Sequence, residues 1–205
     1  MNPNPAGSPQ HYPAGGPSPY APQPGPYTQP QPPVPAPAER GKVATALLLV
    51  STILMGLMAG LFFAFDVSVM PGLAAGDERT YVTAMQNFNS AIDGNGIFGM
   101  AFVLALLLSA ASAIVEFRNG RRTVAVWVGA AAVVYLVVLM ITFSVNIPLN
   151  NELADAGDAS KLSDFSIVEK FKSTWVSTNI VRTLLCTAAL TALARALVLY
   201  GRATR

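Results

Sequence analysis

Trp175, Asn179 and Arg182 follow one another at spacings of four and three, which on a helix places all three on one face. Asn146 and Asn150 repeat the spacing of four on either side of Pro148. With Asp66 they form a set of polar side chains lying within, or at the end of, long apolar runs. Hydrocarbon discourages such groups. An arginine inside a membrane helix costs on the order of 3 kcal/mol to insert, so it faces a partner or a wet cavity. The chemistry open to the set is electrostatic. Amide and guanidinium N–H groups in a largely apolar cavity stabilise negative charge on an enolate or phenolate oxygen, and Trp175 adds a flat apolar wall. Asn146, Asn150, Trp175, Asn179 and Arg182 are therefore the candidate substrate-binding residues. Asp66, Asn146, Asn179 and Arg182 are the candidates for catalysis, with Asp66 the acid expected to neutralise Arg182 from another helix. The alternative reading is that the same groups only lock helix packing, as interhelical polar contacts do.

Other chemistry is scarce. The single histidine is His11 and the single cysteine is Cys186. One chain then offers no disulfide, no Cys/His zinc site and no Ser-His or Cys-His pair within the apolar region. It also lacks a Walker A loop and a dinucleotide-binding glycine motif. No metal and no cofactor is expected.

The elements that hold these residues are apolar. Apolar residues make up 52% of the 205-residue chain and charged residues 12%, about half the charged share of an ordinary soluble domain. The net charge of +2 is too small to suggest nucleic acid. Four runs, with helices expected over about 43–69, 96–116, 123–148 and 174–200, each reach the roughly 20 residues needed to cross a hydrocarbon core of about 30 Å. Val43 to Phe65, Gly96 to Val115 and Thr123 to Ile147 carry no charge, and the fourth run holds Arg182 and Arg195. The expected fold is all-α: an integral membrane four-helix bundle over 41–203, partnered by the lipid bilayer.

Orientation follows from the flanks. Arg40 and Lys42 precede the first run, Arg118, Arg121 and Arg122 fill the turn between the second and third, and Arg202 and Arg205 follow the fourth. The other two loops, 71–95 and 149–173, lean acidic. The positive-inside rule makes the basic side cytoplasmic, giving a multi-pass protein of the cell membrane with both termini inside and both acidic loops outside. Counted from those flanks, Arg182 lies about two turns deeper than Asp66 and Asn146, at 1.5 Å rise per residue.

The outer loops carry patterns of their own. Asp77 is placed to cap a helix bearing Tyr81, Met85, Phe88 and Ile92, a stripe suited to the membrane surface or the mouth of the bundle. From Leu162 the second loop turns amphipathic and runs into the fourth helix, with Trp175 at the outer interface and Trp127 near the inner one as an aromatic belt. Gly56 and Gly60 form a small-xxx-small face for packing within the bundle.

Residues 1–40 are a separate region. They hold 14 of the 16 prolines, with glycine, glutamine and Tyr12, Tyr20 and Tyr27, and no charge before Glu39. That composition blocks ladders and cannot build a core, so a disordered proline-rich tail is expected, with its partner undefined. It has neither the basic nor the apolar region of a signal peptide.

Several of these segments resemble a known family. The run Gly56-Leu57-Met58-Ala59-Gly60-Leu61-Phe62-Phe63-Ala64-Phe65, continuing through Val69-Met70-Pro71-Gly72-Leu73, resembles the start of the anthrone oxygenase-like family of small four-helix membrane proteins. Tyr81 with Met85-Gln86 and Asn89 looks like that family's first loop. Val145-Asn146-Ile147-Pro148-Leu149-Asn150, and Trp175 with Asn179, Arg182 and Thr183, look like its most specific signatures. The resemblance spans about Val43 to Tyr200. It implies the four-helix fold and a monooxygenase that converts anthrones to anthraquinones with molecular oxygen and no cofactor. That chemistry needs a base to form the carbanion and donors to hold the phenolate. In many relatives a histidine directly follows the helix-four asparagine, where this chain has Ile180. Two functions of different class stay open: a cofactor-independent oxygenase or binder acting on a lipophilic aromatic small molecule in an outer-facing pocket, and a non-catalytic membrane protein whose polar cluster is structural.

Overall fold

The computed structural model describes Met1, Gly7 and residues 37–204. The tail expected over 1–40, with its tyrosines, lies outside the described residues except for those two positions and the stretch that opens the first helix. Nine elements matter here: α1 Pro37–Ala64, α2 Met70–Ala74, α3 Glu78–Asp93, α4 Gly96–Arg118, α5 Arg122–Ile141, α6 Ile147–Asp155, α7 Ser166–Lys170, α8 Val176–Ala203, and a 3-10 turn at Ala159–Lys161. There is no strand among the described residues.

Four continuous helical stretches are long and apolar enough to cross a membrane: Gly41–Ala74, Gly96–Arg118, Arg122–Asp155 and Ser166–Ala203. Side chains such as Ile53, Leu57, Val126 and Leu184 stay exposed along them. A helix apolar on every side is at home in lipid, where its outward face needs no polar cover. The chain is a multi-pass membrane protein. Its helices form a ring in which α1 and α5 each pack against both α4 and α8.

The register between α1 and α8 is antiparallel and even. Thr45 meets the Tyr200 hydroxyl at 2.8 Å, a Cβ on Gly56 would meet Leu190 at 3.9 Å, and Asp66 meets Asn179 at 2.5 Å. Asp66 is therefore level with Asn179. Arg182 sits only three residues, one turn, closer to the termini, about 4.5 Å at the standard rise. The two-turn gap expected from the charged flanks does not exist, because Thr45 and Tyr200 set the two helix ends level. The glycine face also differs from expectation. Gly56 touches α8 at ordinary distance, while a Cβ on Gly60 would meet nothing within 4 Å.

Three of the four spans contain one π-helical turn: Phe65–Val69, Thr142–Asn146 and Phe171–Trp175. In the first two, Pro71 and Pro148 stand two residues beyond the turn. Proline has no N–H to return to the carbonyl four residues back, and its ring crowds that carbonyl, so the helix widens just before it. Nothing in the local sequence explains the third. Such turns are rare and gather at functional sites, and here they carry Asp66, Thr142, Asn146 and Trp175.

The expected outer loops are largely helical. The third span runs past Pro148 to Asp155, and α3 lies across the end of the bundle away from the termini. The Asp77 carboxylate caps α3 by accepting from the Thr80 N–H at 2.9 Å, and that bond holds its pKa below the usual value of 3.8. Tyr81, Val82 and Met85 face inward onto Leu149, Leu153 and Phe171. Gln86 pins the helix by donating to the carbonyls of Leu153 (2.8 Å) and Gly157 (2.9 Å). Burial pushes the Tyr81 phenol up to about 12, so it stays neutral. The amphipathic stripe thus serves the bundle mouth rather than a free membrane surface. With α3 and α7 covering it, Trp175 is not a belt residue: it is 5% exposed, between Phe65 and Phe171 at 5.9 and 5.8 Å.

Candidate functional site

Under α3, at the end of the bundle opposite the termini, lies a cavity of about 320 Å³. α1 contributes Leu61 and Phe62, with Phe65 from the turn that follows. α4 adds Phe98, Gly99 and Phe102. Thr142, Asn146 and Asn150 come from the third span, and Trp175, Asn179 and Arg182 from the fourth. All five residues singled out for binding line it. Asp66 does not; it stands behind Asn179.

Arg182 is 4% exposed and its guanidinium is held on several sides. Nη2 donates to Asn179 Oδ1 at 2.7 Å and Nη1 to Thr142 Oγ1 at 3.3 Å. Its carbon lies 4.4 Å from the Phe62 ring centroid and 5.3 Å from that of Trp175, within range of cation–π attraction. Nε has no hydrogen-bond partner among the described residues.

Asn179 is fully buried and its orientation is forced. A guanidinium only donates and a carboxylate only accepts, so the amide oxygen faces Arg182 and the nitrogen faces Asp66. Nδ2 donates to Asp66 Oδ1 at 2.5 Å and to the Phe62 carbonyl at 3.0 Å. Thr183 donates to the other carboxylate oxygen at 2.5 Å. The guanidinium and the carboxylate therefore meet through Asn179.

The remaining lining groups are fixed by the widened turns. Asn146 Nδ2 donates to Thr178 Oγ1 at 3.0 Å, and its Oδ1 is buried without a partner. The Trp175 indole donates to Asn150 Oδ1 at 2.9 Å. Asn89 of α3 lines the same cavity, with a buried Nδ2 that also lacks a partner. Arg182, Asn89 and Asn146 thus line one mainly apolar cavity, and each has a buried polar atom without a partner among the described residues: Nε, Nδ2 and Oδ1 respectively. Buried polar groups are seldom left unpaired, so a group carrying an oxyanion and a hydroxyl suits this space.

Sequence reasoning passed over Thr142 and the aromatic wall. Thr142 precedes Asn146 by four, as Asn146 precedes Asn150, so an extended stripe would have found it. Phe62 and Phe102 look like any lipid-facing phenylalanine. Ile180, where relatives place a histidine, is 45% exposed and does not line the cavity.

A second buried charge was also missed. Glu116, near the end of α4, is fully buried. It pairs with Arg121 through both carboxylate oxygens, and this bond raises the arginine's pKa further. Arg121 in turn lies 4.9 Å over the Tyr200 ring, whose hydroxyl lies 3.1 Å from the Gly41 carbonyl. This cluster ties the α4–α5 turn to α1 and α8, far from the cavity. No group of three or more His, Cys, Asp or Glu placed to hold a metal exists among the described residues.

Compared with known proteins, residues 88–192 match the family model described as anthrone oxygenase. The matched segment is just over half of the chain and contains every lining residue from Asn89 to Arg182; Phe62, Phe65 and Asp66 precede it. No curated protein and no solved structure matches the chain.

Proposed function

The chain belongs to the anthrone oxygenase family, and from that premise we propose that it binds a flat, lipophilic aromatic ketone or phenol in the cavity under α3 and stabilises its enolate or phenolate. The observation that carries this reading is the convergence of Arg182, Asn89 and Asn146, each with an unpaired polar atom, on one mainly apolar cavity. Anion stabilisation by preorganised donors in a water-poor site is the effect such groups supply best. Arg182 holds the oxyanion, Asn89 supports it, Asn146 accepts from a hydroxyl, and Phe62 and Trp175 flank the ring. Three convergent polar residues in a mainly apolar cavity fit the usual anatomy of a small-molecule site.

The family favours an oxygenase as a second reading. In that reaction the anthrone CH2 gives up both hydrogens and four electrons to molecular oxygen, one oxygen atom becoming the new carbonyl and the other leaving as water. Asp93 is the acid that lines the cavity; Asp66, behind Asn179, already accepts hydrogen bonds at both its oxygens.

The basic flanks at Arg40, Lys42, Arg118, Arg122 and Arg202 support an orientation with both termini cytoplasmic and the cavity toward the outside. Cysteines at the exposed positions Ser160 and Thr204 test it in intact cells. An impermeant reagent should label only the first, and labelling only the second would reverse the orientation.

Binding is tested by titrating the Trp127→Phe protein in detergent with 1,8-dihydroxyanthrone and reading Trp175 fluorescence. Saturable quenching is expected, weakened about tenfold, or about 1.4 kcal/mol, by Asn89→Ala. Quenching that does not saturate, or that ignores Asn89, removes the reading.

A further inference from the structure

We infer that the cavity opens sideways between α4 and α5 into the bilayer, and that its ligand arrives dissolved in the membrane rather than from water. The inference rests on the binding reading only for what passes through the opening, not for the opening itself.

The seam between α4 and α5 is closed at one end and parted at the other. Toward the termini, a Cβ built on Gly129 of α5 would meet Ala113 of α4 at 4.0 Å. Midway, the Tyr135 hydroxyl donates to the Phe102 carbonyl at 3.0 Å and pins the two helices together. One turn beyond that pin the space beside α4 is open. Gly99 lines the cavity, yet a Cβ on it would meet nothing within 4 Å, and the same holds at Gly96.

The edges of the parted seam belong to two surfaces at once. Val103 and Phe143 line the cavity and are also 45% and 57% exposed. Both are apolar and both lie within membrane-spanning stretches, so lipid surrounds their exposed faces. A cavity wall shared with that surface is a doorway of hydrocarbon polarity. An uncharged aromatic molecule crosses it without leaving an apolar medium, whereas an ion or sugar would have to shed its water. Two successive glycines at spacing three keep it wide, since any larger side chain at position 99 would stand in the gap.

The test needs no ligand. The Trp127→Phe protein, whose remaining tryptophan is Trp175, is reconstituted in phosphatidylcholine vesicles with brominated acyl chains and in the same lipid without bromine. Bromine should quench Trp175 at least twofold, because acyl chains reach the cavity through the opening. Gly99→Phe should remove at least half of that quenching, and the milder Gly99→Leu serves if the phenylalanine variant does not fold. Equal brightness in both lipids, or quenching untouched by the folded Gly99 variant, overturns the opening. Failure of the binding reading looks different: a protein whose Trp175 is quenched by brominated lipid but that never binds 1,8-dihydroxyanthrone keeps the opening and loses the ligand.

Discussion

Arg182 reaches Asp66 through one amide. Asn179 accepts from the guanidinium at 2.7 Å and donates to the carboxylate at 2.5 Å, and among the described residues no direct ion pair joins the two charges. The arrangement keeps the cation next to the cavity and its counter-ion away from it. A guanidinium bonded directly to a carboxylate would have little field left for a ligand oxyanion. With the amide between them, Arg182 is compensated enough to stay in the membrane, and its Nε remains free.

That geometry predicts an asymmetric mutant series. Asp66→Ala strands a buried arginine and should cost about 3–5 kcal/mol. Arg182→Met should cost less, since Asp66 keeps Asn179 and Thr183. The two should couple in a double-mutant cycle read by thermal unfolding in detergent. In an Asn179→Leu background the coupling should fall close to zero. Coupling of unchanged size without the amide would show that the charges interact by another route.

At the opposite end, Glu116 and Arg121 predict a second asymmetry. Glu116 is wholly inside while the Arg121 side chain is 20% exposed, so only the arginine can turn to water. Arg121→Ala should cost about 3–5 kcal/mol by leaving the carboxylate buried and alone. Glu116→Gln, which keeps a hydrogen-bond acceptor in place, should cost well under half of that. Equal losses in thermal stability would mean that the carboxylate is not desolvated in the way its burial implies.

Position 180 gives a prediction about the second reading. Its side chain points away from the cavity, so a histidine there cannot reach a bound ring as α8 now stands. Ile180→His should leave the rate of anthrone conversion by the purified protein unchanged. A rate rise of tenfold or more would require α8 to rotate, bringing that face inward.

The spans were legible because lipid demands apolar side chains all round, and no soluble fold makes long uncharged runs so readily. The α3 helix was legible from Asp77 and the stripe that ends in Ile92. Asn146, Asn150, Trp175, Asn179 and Arg182 stood out because hydrocarbon penalises them, and the structure gathers all five around one cavity. The pairing of Asp66 with Arg182 was legible as the two charges of neighbouring helices, but not the amide of Asn179 between them, since depth had to be counted from charged flanks. The π turns were hidden: Pro71 and Pro148 signal a break but not its kind, and the turn ending at Trp175 has no signal at all. Glu116 was overlooked because a charge beside a basic turn resembles a solvated helix end. Its burial depends on the turn that brings Arg121 back onto it.

The most direct measurement is the acid–base titration of bound 1,8-dihydroxyanthrone by absorbance, with wild-type protein, the Arg182→Gln variant and empty micelles. A charge-assisted hydrogen bond contributes about 1.5–3 kcal/mol, and one pKa unit is about 1.4 kcal/mol. Wild-type protein should lower the ligand's pKa by about one unit or more relative to micelles, and Arg182→Gln should abolish that shift while still binding. A bound ligand that titrates as it does in empty micelles, or identically in both proteins, would contradict this.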